Sequence, residues 1–445
     1  MERIRAGNAQ FPLPFPQKLE YNAPVHGAWN IVHISMLVPE AHSIYVCSDN
    51  CMRGVVMTAA EMGCQERFSC VMLSEKDVMT DNLETITIEG ASDVIDHLNP
   101  HPPVIFLFLV CLHIFVSSDE AYILRKLQER YPDICFVRCY MDCVRQKTGP
   151  TPDMKLRRSI FEPLLPGPKT PGQVNVLGCD VPYAPESELI RTLKSQGLSV
   201  MQLQDCRTYQ EYQSLAGARL NICTYMNAQD GVSRLSERME SGYLYLPPAV
   251  DYGQIRAEYR ALEDALRVFL PEVHAVPEAW FMQQEALCEE ALLHLKERLG
   301  NGGVSIDYTC HQRPLGIAKL LLTHGIRVQR IYLDAVLDEE QDMLEWLREN
   351  APSLEMTATM RPQSIRREAE GDCILALGQK AAWFEETGYF VNMIESGGLW
   401  GYEGIRALCR LMEEALEAEK PMRDIVPRKG MGWPSLCDVP GGCSV

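Results

Sequence analysis

Several signatures that commonly reveal a function are missing from this sequence. It has no G-x-x-x-x-G-K-[ST] loop, no G-x-G-x-x-G after its first apolar segments, and neither H-E-x-x-H nor G-x-S-x-G. These absences exclude ATP hydrolysis by a P-loop, dinucleotide binding of the usual kind, and two common hydrolase designs. No C-x-x-C pair is present, which removes the zinc-ribbon reading. Positive charge is scarce: 42 Lys and Arg stand against 60 Asp and Glu, for a net charge of -18. Such a balance argues against nucleic acid and anionic membranes as partners, since both recruit clustered cations. The apolar run from Val104 to Val116 is 13 residues long and is interrupted by His113, short of the roughly 20 that a spanning helix needs. Met1 to Tyr21 lacks an apolar core and is punctuated by Pro12, Pro14 and Pro16, so no secretion leader is expected and the chain reads as cytoplasmic.

What the sequence does have is cysteine, 17 in 445 residues. In a reducing compartment these are free thiols rather than a disulfide framework, available for packing or for metal. The length suits about two to four domains. The run "PPVIFLFLVCLHIFVSSDE" (Pro102 to Glu120) reads as a parallel strand buried on both faces, followed by Ser118 and Asp119 capping the helix "EAYILRKLQERYP". "ICFVRCYM" then completes a strand, helix, strand unit. The alternation returns in "VNVLGCDVP", "SELIRTLKSQG" and "LSVMQL". It returns again from "GVSIDYT" through "RPLGIAKLLLTHG" and "VQRIYLDA" to "DCILALGQ". "LLPGPKTPGQ" and "LGNGG" separate the blocks.

The expected fold class is therefore α/β, with three Rossmann-like doubly wound domains and mainly parallel sheets at residues 1–165, 172–300 and 301–420. An irregular Pro- and Gly-rich tail at 421–445 carries Cys437 and Cys443. Ligands of such sheets gather at the carboxyl ends of the strands, where Cys111, Cys139, Cys179 and the Thr309 to Arg313 turn fall.

His26, His33, His42, Cys47, Cys51 and Cys64 are concentrated near the amino terminus. Thiolates, with histidine sometimes replacing one, are what iron-sulfur clusters require. Cys47 and Cys51, four apart, would share one face of a helix, while packed cysteines with capping histidines are the plainer alternative. Cys135, Cys139 and Cys143 also recur every four residues, but a strand would hold the first two about 13 Å apart, too far to share a small cluster. "ESGGLWGYEG" precedes the helix "IRALCRLMEEALEAE"; the backbone N–H groups around Gly397 and Gly398 could cradle an anion, or the turn could simply be tight.

Seven stretches, in order, resemble nitrogenase component 1 and its relatives in tetrapyrrole reduction and cofactor assembly. "HISMLVPEAH" is similar to that family's "HISHGPVGC", "SEKDVMTDNLETI" to "QEKDIVFGG", "FLVCLHIFVSSD" to "TTCVTGLIGDD" and "FVRCYMD" to "PVRCEGF". "VNVLG" is similar to "VNLIG", "ARLNICTYM" to "AKLNLIHCY", and "LWGYEG" to "YHGYDG". The resemblance implies a [4Fe-4S] or larger iron-sulfur cluster at a subunit interface, with Cys111 as one ligand. His42 stands where the family has another ligand cysteine, so either Cys47, Cys51 or His26 substitutes, or the cluster differs or is lost; the ligand set expected is Cys111 with some of Cys47, Cys51, His42 and Cys64. It also implies a second metallocofactor in the domain cleft near Cys223 and Arg313. The family's cofactor histidine is absent from "YFVNMIESGGLW", and its "QSLGHHIAN" stretch appears as "QKTGPTPDM", so dinitrogen is not the expected substrate.

The function implied is a subunit of a two-component reductase. Such a subunit pairs with a homologous subunit, or with itself, and accepts electrons from an ATP-dependent iron protein to reduce a small molecule. The alternatives are a non-catalytic scaffold or carrier for metallocluster or tetrapyrrole assembly, and a Rossmann-like binding module with inert cysteines.

Overall fold

The computed structural model describes residues 2–20, 31–61, 63–79, 82–141, 150–361 and 373–422. His26, Cys143, the "QKTG" of "QKTGPTPDM", Cys437 and Cys443 lie outside them. Strand β1 (Arg3–Arg5) opens the chain. The next four are β2 (His42–Cys47), β3 (Phe68–Met72), β4 (Val104–Val110) and β5 (Cys135–Met141), which form one parallel sheet in the order β3-β2-β4-β5. β6 (Gln173–Leu177), β7 (Ser199–Gln202), β8 (Leu220–Cys223) and β9 (Gly242–Tyr245) form a second, ordered β7-β6-β8-β9. β10 (Gly303–Asp307), β11 (Val328–Tyr332), β12 (Glu355–Thr357), β13 (Cys373–Leu377) and β14 (Phe390–Val391) form a third, ordered β1-β12-β11-β10-β13-β14. Only β1 runs antiparallel in it.

Each sheet starts in its middle. Among the parallel strands β2, β6 and β10 are laid first, the chain winds to one side, and it then returns to the other with β4, β8 and β13; β1 is the added antiparallel edge strand of the third sheet. Each therefore has one switch point, at the carboxyl ends of the pairs β2/β4, β6/β8 and β10/β13, where a crevice forms.

The apolar run of β4 explains its central place. Val104, Phe106, Phe108 and Val110 pack into one core, and Ile105, Leu107 and Leu109 into another on the opposite face. Every residue of the strand is buried, and at roughly 1.5–3 kcal/mol per large apolar side chain the run contributes on the order of 10 kcal/mol of burial. Tyr45 stacks on Phe108 at 4.2 Å between centroids and locks β2 against it. Beyond the strand, Asp119 caps helix Glu120–Arg130 by accepting the Tyr122 N–H at 2.9 Å.

The described residues form two compact units. Those within Trp29–Asp180 and Leu198–Tyr245 make one, holding the first two sheets. Those within Met1–Ala28, Val181–Gly197 and Leu246–Trp433 make the other, built on the third sheet. No helix among the described residues is long and apolar enough to cross a membrane.

Candidate functional site

The first switch point joins the ends of β2 and β4. Cys47 is the last residue of β2, and Cys111 follows the last residue of β4 as the first residue of a short helix, Cys111–Phe115. Cys51 lies in the first turn of helix Asp49–Glu61, which leaves β2 over the same edge. The edge opens onto a cleft of about 740 Å3 lined by Ser48, Asp49, Met72, Ser74, Val78 and Leu112, among others. Cys47 is buried, Cys111 half-buried and Cys51 exposed. Burial, reinforced by the neighbouring Cys51 and Cys70, pushes the Cys47 thiol up to about 12. It is thus protonated at neutral pH, and its Sγ meets Met52 Sδ at 2.8 Å. Cys47 and Cys51 do not share a helix face: one ends a strand, and the other follows the turn that starts a helix.

His42 and Cys64 fall elsewhere. His42 begins β2, five residue steps and about 16 Å from Cys47 along the strand. Its Nε2 bonds Ser69 Oγ at 2.8 Å, and burial, then the Arg67 charge, lowers its pKa to about 4. Cys64 precedes the turn Gln65–Arg67 that feeds β3 at this same amino-terminal edge. Arg67 holds that edge together by donating to the carbonyls of Met36, Val38 and Ala41, inside "HISMLVPEAH". The expectation that His42 and Cys64 join the other three is thus not met, because a full strand length separates them. Among the described residues no three His, Cys, Asp or Glu side chains converge as a metal site. A complete cluster ligand set is therefore not present in the described part of one chain.

The second switch point is filled by the protein itself. Arg157, 2% exposed, donates Nη1 to Asp180 Oδ1 at 2.7 Å and Nη2 to Oδ2 at 3.0 Å, and Nη1 also reaches the Gly178 carbonyl at 2.8 Å. Its guanidinium lies 4.4 Å over the Tyr225 ring, and His33 Nδ1 is 3.7 Å from Asp180 Oδ2. Burial alone would raise the Asp180 carboxyl, but Arg157 and His33 hold it below the ordinary range, while burial keeps His33 low. Cys223, fully buried at the end of β8, donates its Sγ–H to the Tyr225 carbonyl at 3.3 Å. A Cβ on Gly178 would sit 3.3 Å from that sulfur and 2.9 Å from Ala228 Cβ. The Arg157–Asp180 pair has no signature in the sequence beyond an aspartate just past a buried strand.

The third switch point is closed as well. Asp307, at the end of β10, accepts the N–H groups of Thr309 at 2.8 Å and Ala381 at 2.9 Å, and Gly378 must lack a Cβ, which would stand 2.2 Å from its Oδ2. Arg313 sits two turns of chain further on, at the start of helix Pro314–Thr323, with Nη1 donating to Gln254 Oε1 at 3.0 Å. In the glycine-rich turn Glu395–Gly398 the Gly397 N–H goes to the Ile394 carbonyl at 2.7 Å, and a Cβ on Gly398 would meet the Pro182 carbonyl at 2.9 Å. The N–H groups that open the next helix, Gly401–Glu417, do receive an anion, but it is internal. Glu188 accepts from Tyr402 at 3.0 Å, from Glu403 at 2.7 Å and from the Tyr259 hydroxyl at 2.8 Å.

Three doubly wound, mainly parallel sheets, one of them with an open switch point edged by thiols, define a Rossmann-like α/β protein. The chain belongs to the nitrogenase component 1 type oxidoreductases, whose family model matches residues 24–417. Among solved structures it is similar to one described as nitrogenase Cp1 at pH 6.5, with a TM-score of 0.65 and 11% identity over 91% of this chain and 94% of that one. It is also similar to nitrogenase Cp1 at pH 5, with a TM-score of 0.57 and 12% identity over 93% and 94%. At these identities the likeness is one of fold. No curated protein matches the chain.

Proposed function

We propose that this chain is the electron-accepting subunit of a two-component reductase, with its iron-sulfur cluster at the carboxyl edge of the first sheet. Cys111, Cys47 and Cys51 are the thiols offered by this chain. The observation that carries the reading is that three cysteines lie at this edge beside an open cleft, which is lined by Ser48, Asp49 and Leu112, the neighbours of Cys47 and Cys111 in the chain. Since the described residues of one chain do not complete a ligand set there, the cluster is shared with a homologous subunit or a second copy. An ATP-dependent iron protein is the electron donor, and the substrate is a small molecule other than dinitrogen.

The same incompleteness favours one alternative, a scaffold that holds a cluster loosely for transfer. Anaerobic purification with iron and acid-labile sulfide analysis tests both. Iron and sulfide bound to wild type and lost in Cys111→Ser support a cluster at this edge, whereas metal-free native protein overturns both readings. Reduction with an iron protein, ATP and dithionite, followed by paramagnetic resonance, then separates turnover from release to an acceptor.

A further inference from the structure

The unit built on the third sheet contains a cavity that the cluster reading does not use. It has a volume of about 240 Å3 and lies between the start of helix Tyr252–Arg267 and the flank of helix Pro314–Thr323. At about 30 Å3 per water it has room for roughly eight, or a small organic molecule of similar bulk. Val250, Leu320 and Met343 give it an apolar side; Arg313 and Lys319, with Asp251 beside the lysine, give it a charged one.

The cations there are under-used. A guanidinium has five N–H donors, yet that of Arg313 makes one hydrogen bond among the described residues, from Nη1 to Gln254, and its Nε is buried without a partner. Its Nη2 is 3.6 Å from Glu339, and Lys319 Nζ is 3.5 Å from Asp251 Oδ2, both loose ion pairs rather than close hydrogen bonds. Two further carboxyls approach the guanidinium, and burial pushes both of them up, Glu340 to about 8. His324, also on the cavity wall, is engaged by Glu289 and the Leu320 carbonyl.

We propose that this cavity binds a small organic carboxylate, its two oxygens on Arg313 and its apolar body against Val250, Leu320 and Met343. The planar fork of an arginine matches a carboxylate in a way that lysine does not. Neither strand-end crevice nor cluster is involved, so the site stands or falls separately from the redox reading.

Isothermal titration of the full chain with benzoate, benzamide and inorganic phosphate tests it. Benzoate is expected to bind one per chain, benzamide at least tenfold more weakly, and R313Q is expected to weaken benzoate by tenfold or more, with R313K between. Equal binding of benzamide, unchanged binding by R313Q, or no benzoate binding up to about 10 mM would overturn the proposal. Phosphate bound as tightly as benzoate would overturn the organic half of it. Should R313Q fail to fold, the benzoate and benzamide comparison in wild type, with K319Q as the weakened variant, decides the matter.

Discussion

Replacing Glu340 with glutamine should stabilise this protein at pH 7 and leave it nearly unchanged at pH 5. Glu340 is 1% exposed and ends the turn Asp338–Glu340; its Oε1 accepts the Gly316 N–H at 2.8 Å. Burial raises its pKa from 4.5 to about 8, against the pull of that N–H and of Arg313. Between those two values the folded state keeps a proton that the unfolded state releases, so stability falls as pH rises through the window. At about 1.36 kcal/mol per pH unit, the residue costs on the order of 3 kcal/mol at pH 7 and under about 1 kcal/mol at pH 5. Glutamine keeps the acceptor for Gly316 and cannot ionise. Its second N–H donor, buried, takes back about 1 kcal/mol at both pH values. The quantity to measure is the difference: urea unfolding of wild type and E340Q at pH 5 and pH 7 should give a change in ΔΔG of about 2–3 kcal/mol between them, in favour of the variant at pH 7. A ΔΔG that is the same at both pH values within about 0.5 kcal/mol would show that Glu340 titrates alike in both states, and the burial argument would fail.

Asp180→Asn takes the charge out of the bidentate pair with Arg157, whose Nε still pairs with Asp153 at 3.1 Å, and should cost about 1.5–3 kcal/mol by denaturant unfolding, while R157M combined with D180N should recover part of that loss. Gly401→Ala places a Cβ 2.1 Å from Glu188 Oε1 at a φ of +70°, and should cost about 2–4 kcal/mol through backbone strain and the displaced cap. Gly197→Ala, at φ +76° with nothing within 4 Å, is its control and should lose only the backbone part, about 1–2 kcal/mol; equal losses at the two positions would remove Glu188 from the account.

The fold was legible where one residue type repeats locally. The unbroken apolar run of β4, the alternation of strand and helix, and the Asp119 cap are all readable within some twenty residues, and the structure has them. What escaped was non-local or too short. β1 is three residues long and pairs with β12, some 350 residues away, so no periodicity could announce either. The spacing of Cys47 and Cys51 was compatible with one helix, but the buried alternation of β2 continues to Cys47 and places a strand end between them. The glycine-rich turn was read as a possible anion cradle, and the N–H groups beyond it do bind a carboxylate. That carboxylate is Glu188, more than 200 positions earlier, which only the folded chain reveals. Arg157 and Asp180 are hidden for the same reason.

The three sheets share one winding, so each would be expected to offer its switch point to a ligand, and the difference between them bears directly on function. At β6/β8 the crevice holds a guanidinium bonded twice to Asp180 and stacked on Tyr225. Admitting a cofactor there would mean breaking this buried, doubly bonded pair, which Asp153 and His33 also support. At β10/β13 Asp307 already occupies the N–H groups that a ligand would need, and Gly378 leaves no gap beside it. A second metallocofactor resting on Cys223 would have to displace its bond to Tyr225 in a site with no exposed surface, which weighs against that part of the family pattern here. At β2/β4 no such plug exists among the described residues: the strand ends carry thiols, and the space beyond them is open. The exposed Met72 and Met79 on its rim, 47% and 85% accessible, are apolar surface left uncovered beside that opening. An apolar rim beside thiols is better suited to a contact with another polypeptide than to bulk water, and it supports the proposal that the ligand set at this edge is completed across a subunit boundary.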